Sequence, residues 1–372
     1  MEKLARISRR TWIQSAAALL VLPLLLLSAC RDDKTVTFFD SHLEAAVREG
    51  LGLGPGPLAA TDLRRLTELD AAGRGIAHLD GLEACVNLVS LDLAGNHVSD
   101  LRPLSELRHL ETLILTSNEA SDVSPLSGLA ELRRLDLDFN FVDDVRPLTG
   151  LLKLRWLGLW NSGIADIAPL AALVELRELG LGGNPVGDIS PLVGLTKLEW
   201  LGLPNTEIRD VSALFGLRAL VKLSLGGNRI ADLSPLRELQ SLEVLGIDSN
   251  EVEDVGALAD LTRLQRLSLW GNRIADVSPL AGLTDLEELW LDGNPLSDIG
   301  ILEALPNLRV VGLSETEVGD LSPLVENAGL GEGDEVDLNG AALDLSDGST
   351  ARLAIDRLEG RGVVVRFGLP LD

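Results

Sequence analysis

A 22-residue period constrains this chain more than any other feature. A polar residue, usually asparagine, recurs at 74, 96, 118, 140, 162, 184, 206, 228, 250, 272, 294 and 316. Five places before each stands an apolar residue, Leu in every unit from Leu69 to Leu289 and then Val311. Three places before lies a second apolar column, kept from being all leucine only by Ala71 and Ile247. Fourteen places after, leucine is unbroken from Leu88 to Leu308. One such unit has too few apolar residues to close a core of its own, so the units must stack and bury their leucines against one another. A length of 372 residues would otherwise allow two or three ordinary domains, but an internal repeat overrides that prior.

Each column has a local reason. Leu-x-Leu reads as a short strand with alternate residues turned inward, and stacked units give a parallel sheet with neighbours ~4.8 Å apart. The Asn column suits a buried amide bonding the backbone of a tight turn; Ser162, Thr206 and Thr316 replace it with shorter donors. In the second half of each unit, Asp-Val-Ser-Pro-Leu at 122–126 and its copies predict a 3-10 or short helical start, with Ser124 as its cap and Pro125 where a missing N–H costs nothing. The pattern LxxLxLxxNxIxDxxPLxxL over about residues 66–345 resembles the leucine-rich repeat. The 22-residue form, with Asp and Pro-Leu in its second half, is similar to bacterial internalins and to the leucine-rich regulatory subunit of protein phosphatase one. The resemblance implies an α/β solenoid: a horseshoe with a parallel β-sheet on its concave face, short 3-10 turns on its convex face, and a helical N-terminal cap. No partner is carried over from either family.

The ends of the chain read differently. Lys3, Arg6, Arg9 and Arg10 precede an apolar run from Ile13 to Leu27, which is a signal-peptide pattern over residues 1–29. Leu27-Ser28-Ala29-Cys30 resembles the bacterial lipobox, which implies a lipid on Cys30 as first mature residue and an anchor in the cell envelope. Ser8-Arg9-Arg10-Thr11-Trp12-Ile13 also looks like a twin-arginine export signal, so either export route stays open, as does the choice of membrane. Residues 30–37 form a short tether, reaching at most ~29 Å. Residues 38–66 predict a helical cap. Asp40 or Ser41 caps a helix through Glu49, Gly50–Leu58 is a loop, and Thr61 caps a second helix over Asp62–Leu66. The repeats occupy 67–327, and 328–372 predicts a degenerate last repeat and cap, with a helix from Ser349 to Leu358 and a final strand.

Net charge is -25, which argues against nucleic acid and against a basic membrane-surface patch. Among candidate chemistries, His42, His78, His97 and His109 fall at unrelated register positions and suggest no metal pair. No Ser, His and Asp lie in a nucleophile setting, and no glycine motif has a phosphate context. No enzyme activity, cofactor or metal is expected, and a monomer is. An eleven-member Asp column from Asp100 to Asp320 could be a calcium ladder, but one carboxylate per unit is short of a calcium shell; capping of each turn is the preferred reading. Cys85 falls in a core column and reads as a buried free thiol.

The face that could carry function is the concave one. Positions six, four and two before the Asn site should point there, and five of the six tryptophans fall on them. Trp156 and Trp200 are at minus six, Trp290 at minus four, Trp160 and Trp270 at minus two; Phe139 stands beside the same surface. Arg134 and Asp136 occupy minus six and minus four of the unit before Trp156. Between the two groups of tryptophans, in units 5 to 7 and 10 to 11, the minus-four column is nearly bare, with Gly158, Gly180, Gly202, Ser224, Gly246 and Ser268, and glycine in an exposed strand often marks close approach by a ligand. The expectation is a floor of small residues between aromatic walls. It would bind a protein or peptide partner near the membrane through tryptophan anchors. Glycan recognition, in which sugar rings stack on the aromatics, and a structural scaffold without a ligand are the alternatives.

Overall fold

A computed structural model describes residues 34–368. The expected signal segment, Cys30 and the first residues of the expected tether lie outside that range. The strands of the repeats span minus six to minus four, from Glu68–Asp70 to Val310–Gly312. With Glu335–Asp337 and Val364–Arg366 they form one 14-stranded parallel sheet in chain order. The repeat strands pair in register at a 22-residue offset, for example Trp156↔Glu178 and Glu178↔Trp200, and only the last two steps, Val310↔Glu335 and Glu335↔Val364, are longer. A 3-10 turn such as Ser124–Gly128 returns the chain on the convex side.

The core is a set of leucine ladders. Leu157, Leu159, Leu170, Leu173 and Leu176, all in one unit, have no solvent exposure, and each buried leucine contributes ~2 kcal/mol. Cys85 is equally enclosed in the same core, as the columns require, and burial first, then Glu83, push its thiol up to about 12.

The asparagines do more than brace a turn. Each Nδ2 donates to the minus-three carbonyl of its own unit and to that of the unit before, as Asn118 does to Leu115 and Leu93. Each Oδ1 accepts an N–H from the preceding unit, Val98 in that case. The column therefore stitches neighbours together in a place closed to water, where an unpaired amide is costly.

The Asp column caps its turns. In all eleven members one carboxylate oxygen accepts the backbone N–H two residues on, at 2.7–3.0 Å. The expected Ser124 cap is thus corrected: Ser124 is the first residue of the 3-10 turn, no side chain caps from the Val123 position, and Asp122 holds the Ser124 N–H.

The N-terminal cap contains a helix α1 (Ser41–Leu51) that packs on the first repeat strand. Asp40 is its N-cap and also ties cap to repeat. One oxygen accepts from His42 and Leu43, and the other from Ala77 and His78. Burial pushes this carboxyl up, but the four N–H donors prevail and hold it below its ordinary value. Three boundaries shift. The helix runs two residues past Glu49 to a left-handed Gly52. The second helix α2 is Ala60–Leu63, so Thr61 lies within it rather than at its cap. Thr35–Val36, expected in the tether, pairs antiparallel with Leu58–Ala59 and belongs to the cap. At the far end Ser349 caps a helix over Thr350–Gly360, two residues past the expected Leu358, and the strand Val364–Arg366 forms the last edge of the sheet.

Candidate functional site

Because successive side chains of a strand alternate between faces, burying minus five and minus three leaves minus six, minus four and minus two on the concave side. Trp156, Gly158 and Trp160 therefore share one strip of unit 5, with Gly180 and Gly182 on the neighbouring strip and Trp200 and Gly202 on the one after.

The tryptophans do not stand as walls around an open floor. A Cβ added at Gly158 would lie 2.6 Å from Trp156 Cη2, and one at Gly182 would lie 2.6 Å from Trp160 Cε3. At Gly180 it would collide with Trp160 Nε1, and at Gly202 it would come within 3.1 Å of both Trp160 Cζ2 and Trp200 Cη2. The three indoles are laid down over the glycines, and Gly158, Gly180 and Gly202 are buried beneath them. This corrects the expected bare floor. The small residues are needed because any larger side chain would lift the rings.

Charged groups border this aromatic cover. The Arg134 guanidinium lies over the Trp156 ring, 3.9 Å from its centroid, and within 3.8 Å of Asp136. Asp136 is buried, and one of its oxygens accepts the Asp138 N–H at 3.2 Å. Asp138 Oδ1 in turn accepts the backbone N–H of Trp160 at 2.8 Å. Burial raises the Asp138 carboxyl to about 6; the Trp160 N–H and Arg134 oppose that rise, and Asp136 adds to it. Carboxylate, indole and guanidinium thus form one connected group in units 4 and 5.

Trp270 and Trp290 are not part of this group. Trp290 lines a separate depression of about 400 Å³ with Asp292, whose carboxyl is raised by burial. Trp270 is 45% exposed. Phe139 sits on the rim, 53% exposed, with φ 56°. A bulky residue in the left-handed region is strained, and six of the twelve units place glycine at this position. Phe141, two residues on, is 65% exposed.

Several participants escaped sequence reading. Gly182 and Phe141 are visible only once rings and turns are placed. Asp138, Glu178 and Lys222 could have been found by reading the minus-two and minus-six columns across units instead of by residue type. Among the described residues no three His, Cys, Asp or Glu side chains come together as a metal-binding group.

Comparison with known proteins fits this geometry. Models of leucine-rich repeats match residues 240–282, 262–304 and 84–101. No curated protein sequence matches. An internalin (inlF) of Listeria monocytogenes is 32% identical, with 78% of this chain and 94% of that one covered and a TM-score of 0.71. A leucine-rich repeat protein of Leptospira interrogans is 21% identical, covering 79% and 82%, with a TM-score of 0.70. The ectodomain of the Arabidopsis thaliana receptor kinase GASSHO1/SCHENGEN3, in complex with CASPARIAN STRIP INTEGRITY FACTOR 2, is 19% identical over 78% of this chain and 43% of its own, with a TM-score of 0.55. The repeat columns, the continuous parallel sheet and the identity to inlF over nearly its whole length together mean that this chain belongs to the internalin-like leucine-rich repeat family.

Proposed function

We propose that this protein is a non-enzymatic binding protein that holds a protein or peptide partner on the concave face of its solenoid, centred on Trp156, Trp160 and Trp200. The observation that carries the reading is the gathering of these three indoles over Gly158, Gly180, Gly182 and Gly202. Tryptophan is the side chain most enriched at binding hot spots, and a rigid sheet presents it with little ordering cost on association. The plant receptor ectodomain, a solenoid of the same class, is seen in complex with another factor.

The reading includes an address. The lipobox-like Leu27-Ser28-Ala29-Cys30 supports export and a lipid on Cys30, which would keep the solenoid beside an envelope membrane. Incorporation of labelled palmitate that is abolished by Cys30→Ala supports the anchor; equal labelling of the variant contradicts it.

The binding reading is tested by affinity purification after crosslinking in native membranes. Trp156→Ala with Trp200→Ala should lose the partner recovered by the wild-type protein, while circular dichroism shows an intact fold. If the double variant retains the partner, the concave indoles are not the anchor. If cell-wall fragments quench the tryptophan fluorescence and no protein is recovered, the ligand is a glycan.

A further inference from the structure

Read across five adjacent strands, the minus-six column runs Arg134, Trp156, Glu178, Trp200, Lys222, with every neighbour in register. Charge and aromatic character alternate, and Glu178 lies at the centre with an indole on each side. Trp156 and Trp200 are two strands apart, ~9.6 Å at the backbone. That spacing leaves a gap beside Glu178, between the indole laid over Gly158 and the indole laid over Gly202, wide enough for one side chain. A depression of about 490 Å³ opens there, lined by Trp156, Glu178, Glu199, Trp200, Val221 and Lys222.

We propose that this slot takes the guanidinium or ammonium group of an arginine or lysine side chain from the partner protein, held between Trp156 and Trp200 and paired with Glu178. The inference rests on the concave-face reading and names the chemistry of its partner. Three observations support it. First, the chain already performs the same recognition on itself. Arg134, on the preceding strand, covers one side of Trp156 at 3.9 Å, and the slot offers the side toward Glu178, with a carboxylate added. Second, Glu178 is exposed and has no ion pair among the described residues, although Glu199, which lines the same slot, is paired with Arg177. Its two neighbours in the column are indoles; Arg177, next to it in sequence, is engaged by Glu199, and Lys222 lines the far side of the slot without pairing to it. Third, a net charge of -25 draws a basic partner in and repels an acidic one. A cation over an indole face is favourable, and more so when an anion lies beneath it.

The test uses the full-length protein titrated with tri-arginine amide, following tryptophan fluorescence, with tri-glutamate and tri-glycine as comparison peptides. Tri-arginine amide should quench the fluorescence, and Glu178→Gln should weaken its binding roughly fivefold to tenfold. Trp200→Ala should weaken it by a similar factor. Glu303→Gln, which removes one acid from the convex side, should change it less than about twofold, separating the slot from general charge attraction. Equal binding to wild type and Glu178→Gln, or equal quenching by tri-glycine, overturns the proposal. The two readings fail separately. A natural partner lost by Trp156→Ala with Trp200→Ala but held undiminished by Glu178→Gln leaves the concave face in place and removes the cationic group.

Discussion

The asparagine ladder makes an unequal prediction at two positions of the same column. Asn184 stands between Ser162 and Thr206, whose shorter side chains cannot complete the pattern. Its Oδ1 accepts from Ser162, Gly163 and Ile164 at 3.0, 2.8 and 3.0 Å, and its Nδ2 donates to Leu159 and Leu181 carbonyls at 2.7 and 2.8 Å. Neither carbonyl receives a bond from the flanking units, because Thr206 Oγ1 reaches only Leu203 O and Asn228 Oδ1, and Ser162 Oγ reaches Leu137 O and Trp160 O. Asn250 has fuller neighbours. Its Oδ1 accepts only from Ile230. Its two main acceptors are shared, Leu225 O with Asn228 and Ile247 O with Asn272. Asn184→Ala therefore strands five backbone groups and Asn250→Ala strands one. At the low end of ~1 kcal/mol for each unsatisfied group, Asn184→Ala should cost ~5 kcal/mol and Asn250→Ala ~1–2 kcal/mol. Urea unfolding followed by far-ultraviolet circular dichroism measures both. A fall in the slope for Asn184→Ala would mark loss of cooperation between the halves of the array. Equal losses, within ~0.5 kcal/mol, would refute the inter-unit role assigned to these amides.

Three further outcomes follow from the same geometry. Gly180→Ala should displace the Trp160 ring without unfolding the protein, because the added methyl meets a side chain rather than backbone; a shifted emission maximum with little change in urea midpoint checks it, and unchanged emission counts against the ring placement. Asp138, with its carboxyl raised to about 6 from 3.8, binds a proton in the folded state that the unfolded chain releases, so this site adds stability as pH falls from about 7 towards 4 and loses it as pH rises through 6. Asp138→Asn keeps an oxygen for the Trp160 N–H and should flatten that part of the pH profile; an unaltered profile contradicts the assignment. Cys85, buried with its thiol pushed up to about 12, should resist thiol reagents in the native state and react once urea unfolds the chain; rapid native reaction at this residue would show that its part of the core opens.

The architecture was legible because every structural residue is repeated. Leucine, asparagine and aspartate columns at 22-residue spacing state the strand, the stitch and the turn cap a dozen times over, so local ambiguity averages out. The caps were legible for a different reason. Asp40 and Ser349 are strong N-cap residues at the starts of helices. Where a cap signal was weak, as at Thr61 and Ser124, the reading slipped by a residue or two, since helix starts depend on which backbone N–H finds an acceptor. The site was legible as a face but not as a shape. Register alone puts Trp156, Trp160 and Trp200 on the concave side. Whether an indole stands up or lies down depends on the residues it would cover, Gly158 for Trp156 on the same strand but Gly180, Gly182 and Gly202 of two neighbouring strands for Trp160. Asp138 was missed because the minus-two column was read for its tryptophans alone; Asp292, at the same place in the pattern, accepts the Ser314 backbone N–H of the next unit in the same way and is likewise raised by burial.

The central claim, that the concave aromatic cover meets a protein partner, is tested most directly by site-specific photo-crosslinking in living cells. A photoreactive amino acid at position 222, on the concave strand beside Trp200, should yield a discrete crosslinked protein that disappears when Trp156 and Trp200 are both replaced by alanine. The same probe at position 193, on the exposed convex side, should yield none. A partner captured from position 193 and absent at position 222 would place the interaction on the opposite face and contradict the account.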